Sequence, residues 1–263
     1  MAHTTVRGAE IHYSTYGTRV EGRDPVLLIH GSYITGRVDW GEIAPQLARE
    51  FEVIVPDCRG HGASSNPSGT YSFREMAADA VGLIHALGHA RAHVIGHSNG
   101  GNVALVTLME HPEVVATCIP QAANAYVSAD LVERIPTKLD PDRIAREDPA
   151  WMEEMIDLHS QYHGTQYWRT LLQRTAAEII AEPNYTAADL AHVNRPTLVI
   201  EGENDSTNAP ARHAAFIAEH IPGSELWIPP GVGHNVHVEI PDLWLARVLS
   251  FLRRHSRAEG DGG

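Results

Sequence analysis

The sequence predicts an α/β fold, a mostly parallel sheet with helices on both faces, interrupted once by a helical insertion. Short β-branched runs alternate along the 263 residues with longer stretches of helical periodicity, the mark of crossover units. The alternation breaks only between residues 124 and 190, where no convincing strand pattern occurs. Residue types able to do chemistry follow directly after several of the strand-like runs, where open parallel sheets gather their sites.

Taken in order, residues 5–16 alternate like a hairpin with Gly8 near its turn. Strands are then predicted at 26–29, 51–55, 92–95, 114–119, 197–200 and 225–228. Helices are predicted at 43–50, 72–87, 100–110, 209–221 and 242–255, where apolar residues recur at helical spacing. Inside the insertion, Pro149 opens a helix over 150–162, and Thr165 caps a second whose stripe is Trp168, Leu171, Leu172, Ile179 and Ile180. The expected organisation is a core of 1–123 and 191–255, a lid of 124–190 and a frayed tail of 256–263.

Composition narrows the functions. Hydrophobic residues are 43% and charged residues 20%, an ordinary globular balance. Lys and Arg number 20 against 33 Asp and Glu, and a net charge of −13 repels nucleic acid and anionic lipid alike. No run approaches the roughly 20 apolar residues of a membrane span, and the first residues lack a signal-peptide core. Two cysteines, Cys58 and Cys118, cannot form a disulfide framework. A protein of the reducing cytoplasm, not exported by a cleaved signal, is expected.

The strongest local signal is Gly96-His97-Ser98-Asn99-Gly100, placed between a strand and a helix. Such a turn needs small residues because its backbone is strained, and it lifts the Ser98 hydroxyl above the sheet as a nucleophile. A serine needs a base, itself held by an acid. After the strand at 197–200 comes Asp205, and after that at 225–228 comes His234 between glycine-rich turns. Glu203 competes with Asp205 for the acid and His237 with His234 for the base. The amides of Asn99 and of Ser32, with Tyr33 in reserve, are placed to hold an oxyanion. His159 and His163, four apart on one helix, could bind a metal, but no third ligand accompanies them and such pairs are usually exposed. Neither a P-loop nor a dinucleotide glycine fingerprint occurs, so no cofactor is expected.

The chain resembles an α/β-hydrolase-fold protein from Ile11 to about Leu252. The resemblance rests on His30-Gly31-Ser32, the segment 56–64 (PDCRGHGAS), 96–101, 202–205, and Gly233-His234 followed by Glu239-Ile240-Pro241. It implies a triad in the order Ser98, Asp205, His234 and a chiefly structural role for the loop of Asp57 and His61. Serine replaces the aspartate nucleophile of haloalkane dehalogenases and epoxide hydrolases, which argues against both activities. The expectation is a serine hydrolase cleaving a carboxylic ester or lactone, with no cofactor and no metal. The substrate is a small carbonyl compound, apolar or aromatic, in a pocket of Tyr33, Trp151, Met155 and Trp168. The rivals are a carbon–carbon hydrolase of the meta-cleavage-product type and a slow-turnover receptor on the same fold.

Overall fold

The computed structural model describes residues 2–210 and 212–256. Of the expected frayed tail only Ser256 lies within them, its amide bonded to the Leu252 carbonyl at 2.8 Å. Eight strands form one sheet: β1 Ala2–Val6, β2 Ala9–Tyr16, β3 Val26–Ile29, β4 Val53–Pro56, β5 Ala92–His97, β6 Val115–Gln121, β7 Leu198–Ile200 and β8 Glu225–Trp227, in the order β1-β2-β4-β3-β5-β6-β7-β8. The β1/β2 and β2/β4 junctions are antiparallel and the rest parallel. The hairpin turns at Arg7 and Gly8, with φ of 50° and 81°, the two positive angles that a two-residue turn demands.

Alternation along the strands splits the core in two. Val26 and Leu28 point to a cluster with Trp40, Trp244 and Phe251, where the helix Pro241–His255 packs. Leu27 and Ile29 point the other way, to Phe73, Leu83, Val103 and Ile217 of the helices Phe73–Ala86, Asn99–Glu110 and Ala214–His220. Both faces of the sheet are therefore covered, which is why its central strands read as continuous apolar runs.

The largest departures from the sequence reading are in helices. One-turn helices at Gly36–Trp40 and Val236–Glu239 were not expected, since so few residues show no period. The region 43–50 shortens to Ala44–Leu47, and 209–221 to Ala214–His220. Between β6 and β7 lie five helices: Ala129–Lys138, Pro141–Glu147, Pro149–His163, Tyr167–Ile179 and Ala187–Leu190. Pro136 sits inside the first and hid it from a propensity reading. Thr165 does not cap the fourth: Gln166 holds that position without a side-chain bond.

This helical segment has its own apolar cluster, in which Leu131, Ile135, Met155, Trp168, Leu171 and Leu172 surround Tyr33 of the core. His159 ties it down. The imidazole, fully buried rather than exposed, accepts the Gly62 N–H at Nδ1 (2.9 Å) and donates from Nε2 to the Tyr33 carbonyl (2.8 Å). His163 reaches the Gly62 carbonyl at 3.1 Å. Both histidines thus serve backbone groups.

Candidate active site

Ser98 joins β5 to the helix Asn99–Glu110 with φ 55° and ψ −120°, a conformation that side chains avoid. The neighbouring glycines make the turn possible. A Cβ on Gly96 would fall 1.9 Å from the Gly100 carbonyl oxygen, and one on Gly100 would fall 2.2 Å from that of Ile29. The Ser98 amide donates to Gln121 of β6 at 2.9 Å, fixing the turn to the adjacent strand. Asn99 begins the helix, so its amide has no intrahelical acceptor.

Asp205 and His234 come from the loops after β7 and β8. His234 donates from Nδ1 to Asp205 Oδ2 at 2.6 Å, leaving Nε2 free to act as a base. The other oxygen, Oδ1, accepts the amides of Thr207 (2.6 Å) and Asn208 (3.0 Å). Burial opposes charge on this carboxyl, but the His234 bond and charge together with the Asn208 amide hold it well below the usual carboxylate range. Glu203 is exposed and spends its carboxylate on the Gly231 amide at 2.9 Å. His237 is buried elsewhere in hydrogen bonds of its own.

Ser98 and His234 share a cavity of about 530 Å³ with Ser32, Tyr33 and Asn99. Among the described residues, the amides of Ser32 and Asn99 bond to no protein group. The helical segment contributes Leu131, Ile135, Lys138, Leu139, Trp151 and Ile179 to the wall. Of the expected pocket residues, Tyr33 and Trp151 line the cavity, their rings edge to face at 5.5 Å. Met155 and Trp168 do not: both are buried in the segment's own cluster, because its four-helix packing consumes that stripe. Sequence reasoning missed Lys138, which follows the hidden Pro136 turn, and Asn102, Asn124 and Asn208. The asparagines carried no sequence signal beyond lying after strands or in the elbow helix.

Residues 24–188 match the family model described as alpha/beta hydrolase fold. The chain belongs to the α/β-hydrolase-fold family. Serine hydrolase BPHL of Mus musculus is 30% identical over 264 aligned positions, covering 96% of this chain and 86% of that protein. An esterase from Thermogutta terrifontis superposes with a TM-score of 0.74 at 28% identity, covering 96% of this chain and 97% of its own. Est816, titled an N-acyl homoserine lactone degrading enzyme, gives 0.77 at 26% identity, covering 95% and 100%. This α/β-hydrolase is, in its general class, a hydrolase.

Behind the elbow of this α/β-hydrolase lies a polar network unforeseen from sequence. Asp39 accepts the Gly31 amide (2.9 Å), His97 Nδ1–H (3.1 Å) and His237 Nε2–H (3.0 Å). Gln121 donates to His237 Nδ1 at 2.8 Å and accepts from the Trp244 indole at 2.6 Å. Burial opposes the Asp39 charge, yet the two histidines hold its carboxyl well below the ordinary range. One carboxylate thereby ties the Gly31 loop, the residue before Ser98 and the helix after His234. Among the described residues, three groups bring ligand-type atoms within 4.8 Å: His3-Glu10-His12, Asp39-His97-His237 and Glu201-Asp205-His234. In the last two a histidine N–H already points at the carboxylate.

Proposed function

We propose that this protein is a cofactor-independent serine hydrolase that cleaves a carboxylic ester or lactone through an acyl-enzyme on Ser98. The observation that carries it is the His234–Asp205 bond of 2.6 Å, with His234 and Ser98 lining one cavity. His234 Nε2 takes the hydroxyl proton as Ser98 Oγ attacks the carbonyl carbon. The amides of Ser32 and Asn99 receive the oxyanion, and the imidazolium returns its proton to the leaving oxygen. Water, deprotonated by the same imidazole, then releases the acid and restores Ser98. Asp205 remains ionised throughout and stabilises the imidazolium.

An apolar or aromatic acyl group suits the wall of Leu131, Ile135, Leu139, Trp151 and Ile179, supplied by the helical segment acting as a lid. A serine-directed fluorophosphonate followed by peptide mass mapping tests the mechanism. The expected adduct lies on the peptide containing Ser98 and is lost in Ser98→Ala; labelling elsewhere, or sustained ester turnover without it, refutes the reading. The His30-Gly31-Ser32 loop supports a second reading, carbon–carbon cleavage of the meta-cleavage-product type. Faster turnover of a vinylogous diketone than of any ester or lactone would select it.

A further inference from the structure

We propose that Glu201 is a positioning residue of this site: a buried carboxylic acid that donates its proton to the Asp205 carboxylate and so holds the group that orients His234. The inference rests on the serine-hydrolase reading. Glu201 directly follows β7, its amide on the Trp227 carbonyl at 3.2 Å, and its side chain is fully buried. Neither side-chain oxygen has a partner of ordinary hydrogen-bond geometry among the described residues. The group within its reach is Asp205: polar atoms of Glu201, Asp205 and His234 all lie within 4.8 Å of one another.

Two carboxylates so close in a dry site do not both ionise. Asp205 is the one that keeps its charge, because it already accepts one N–H from His234 and amides from Thr207 and Asn208. The proton therefore resides on Glu201, whose carboxyl is pushed well above its usual range by burial first and by Asp205 next. A protonated acid beside an ionised acceptor is a hydrogen-bond donor, and a charge-assisted O–H···O bond is among the strong ones. The other titratable groups facing the pair are His97, whose ring centre is 5.1 Å from that of His234, and Lys138, whose ammonium feels the Asp205 charge.

A purely structural role makes a different forecast. An orphaned buried acid costs stability, so leucine of similar size would make the protein more stable and leave it equally fast. The test measures kcat/KM against pH on one chromogenic ester, with melting temperatures, for the wild type, Glu201→Leu, Glu201→Gln and Ser98→Ala. For Glu201→Leu we expect a melting temperature at or above wild type, a rate down about tenfold through misorientation of the base, and an acidic limb moved to higher pH. The limb moves that way because Asp205, relieved of its donor, directs more charge onto the imidazolium. Glu201→Gln, whose amide still donates, recovers most of the rate and the wild-type limb. A limb in Glu201→Leu that stays in place or moves to lower pH overturns the proposal, the latter by showing that Glu201 was ionised. So does a Glu201→Gln variant as slow as Glu201→Leu. Retained activity in Ser98→Ala would instead overturn the underlying reading, whatever the Glu201 variants do.

Discussion

Tyr33, Ser98 and Ala122 are three of the four non-glycine residues with positive φ among those described, and all three line the same cavity. Such angles cost about 1–3 kcal/mol each and persist only where the surroundings enforce them. Here the enforcement is visible in the Gly96–Gly100 approach and in the Asp39 bond to the Gly31 loop. Ser98→Ala removes a nucleophile and almost no core volume, so we expect at least about a 10⁴-fold loss of hydrolysis with unchanged circular dichroism. His234→Ala should be nearly as severe. His237→Ala should cut the rate far less but destabilise by about 1–3 kcal/mol, since it takes one of three donors from Asp39 and leaves the buried Gln121 Nε2 without its acceptor; chemical denaturation measures this. Reversed phenotypes would move the base to His237. Because Asp205 stays ionised far into the acid range, the acidic limb of kcat/KM reports the base alone. The rate should fall as the pH is lowered, and a flat profile from about pH 5 to 8 on a chemistry-limited ester would contradict a histidine base.

At the scale of elements, the helix Pro149–His163 divides its labour within one turn. Trp151 faces the cavity, whereas Met155 is completely buried against Trp168 and Leu171. The expectation that both select substrate therefore splits. Trp151→Ala should reorder a series of aromatic and aliphatic esters by about an order of magnitude while changing an acetate little. Met155→Ala should lower all substrates together and cost about 2–5 kcal/mol of stability, the penalty of a core cavity. Uniform loss in Trp151→Ala, checked by kcat/KM across the series, would remove it from specificity. His159 couples this element to the core through Gly62 and Tyr33, and Tyr33 directly follows Ser32. The helical segment and the loop of Ser32 and Tyr33 are thus joined by one imidazole.

For the molecule as a whole, several histidines are folded into the interior uncharged. Burial lowers His93, His159 and His213 each to about 4, and lowers His61 as well. Between the unfolded value near 6.5 and about 4, the unfolded chain binds protons that the folded one refuses, so stability falls as pH falls. The first three are fully or nearly fully buried, and each contributes a slope of about 1.4 kcal/mol per pH unit inside that window. Thermal melts from pH 7 to 4.5 should show this decline, steepest below pH 6. A melting temperature constant over that range would show these rings to be solvated or protonated in the fold. The Asp39 carboxylate acts at lower pH with the same sign: its contribution is present above the ordinary carboxylate value and disappears only on strong acidification.

The positions of the strands along the chain and the strand-turn-helix at Ser98 were legible because each is local. An apolar run followed by Gly-x-Ser-x-Gly, or by Gly202 to Asp205, carries its meaning within a few residues, and alternation reveals which faces are buried. β3 was placed to the residue for that reason. Tertiary structure alone decided what depends on partners distant in sequence. His237 and His234 stand three apart in one loop-helix junction, yet only packing gives Asp39 and Gln121 to one and Asp205 to the other. Glu201 and Glu203 flank the same glycine just beyond β7; the turn that follows leaves one buried within reach of Asp205 and brings the other to the surface and the Gly231 amide. Met155 and Trp151 share a helix, and whether a ring meets substrate or core depends on the helices packed around it. Residue type sets what chemistry a side chain can do, but its proton, partner and exposure are fixed by neighbours that the chain brings from far away.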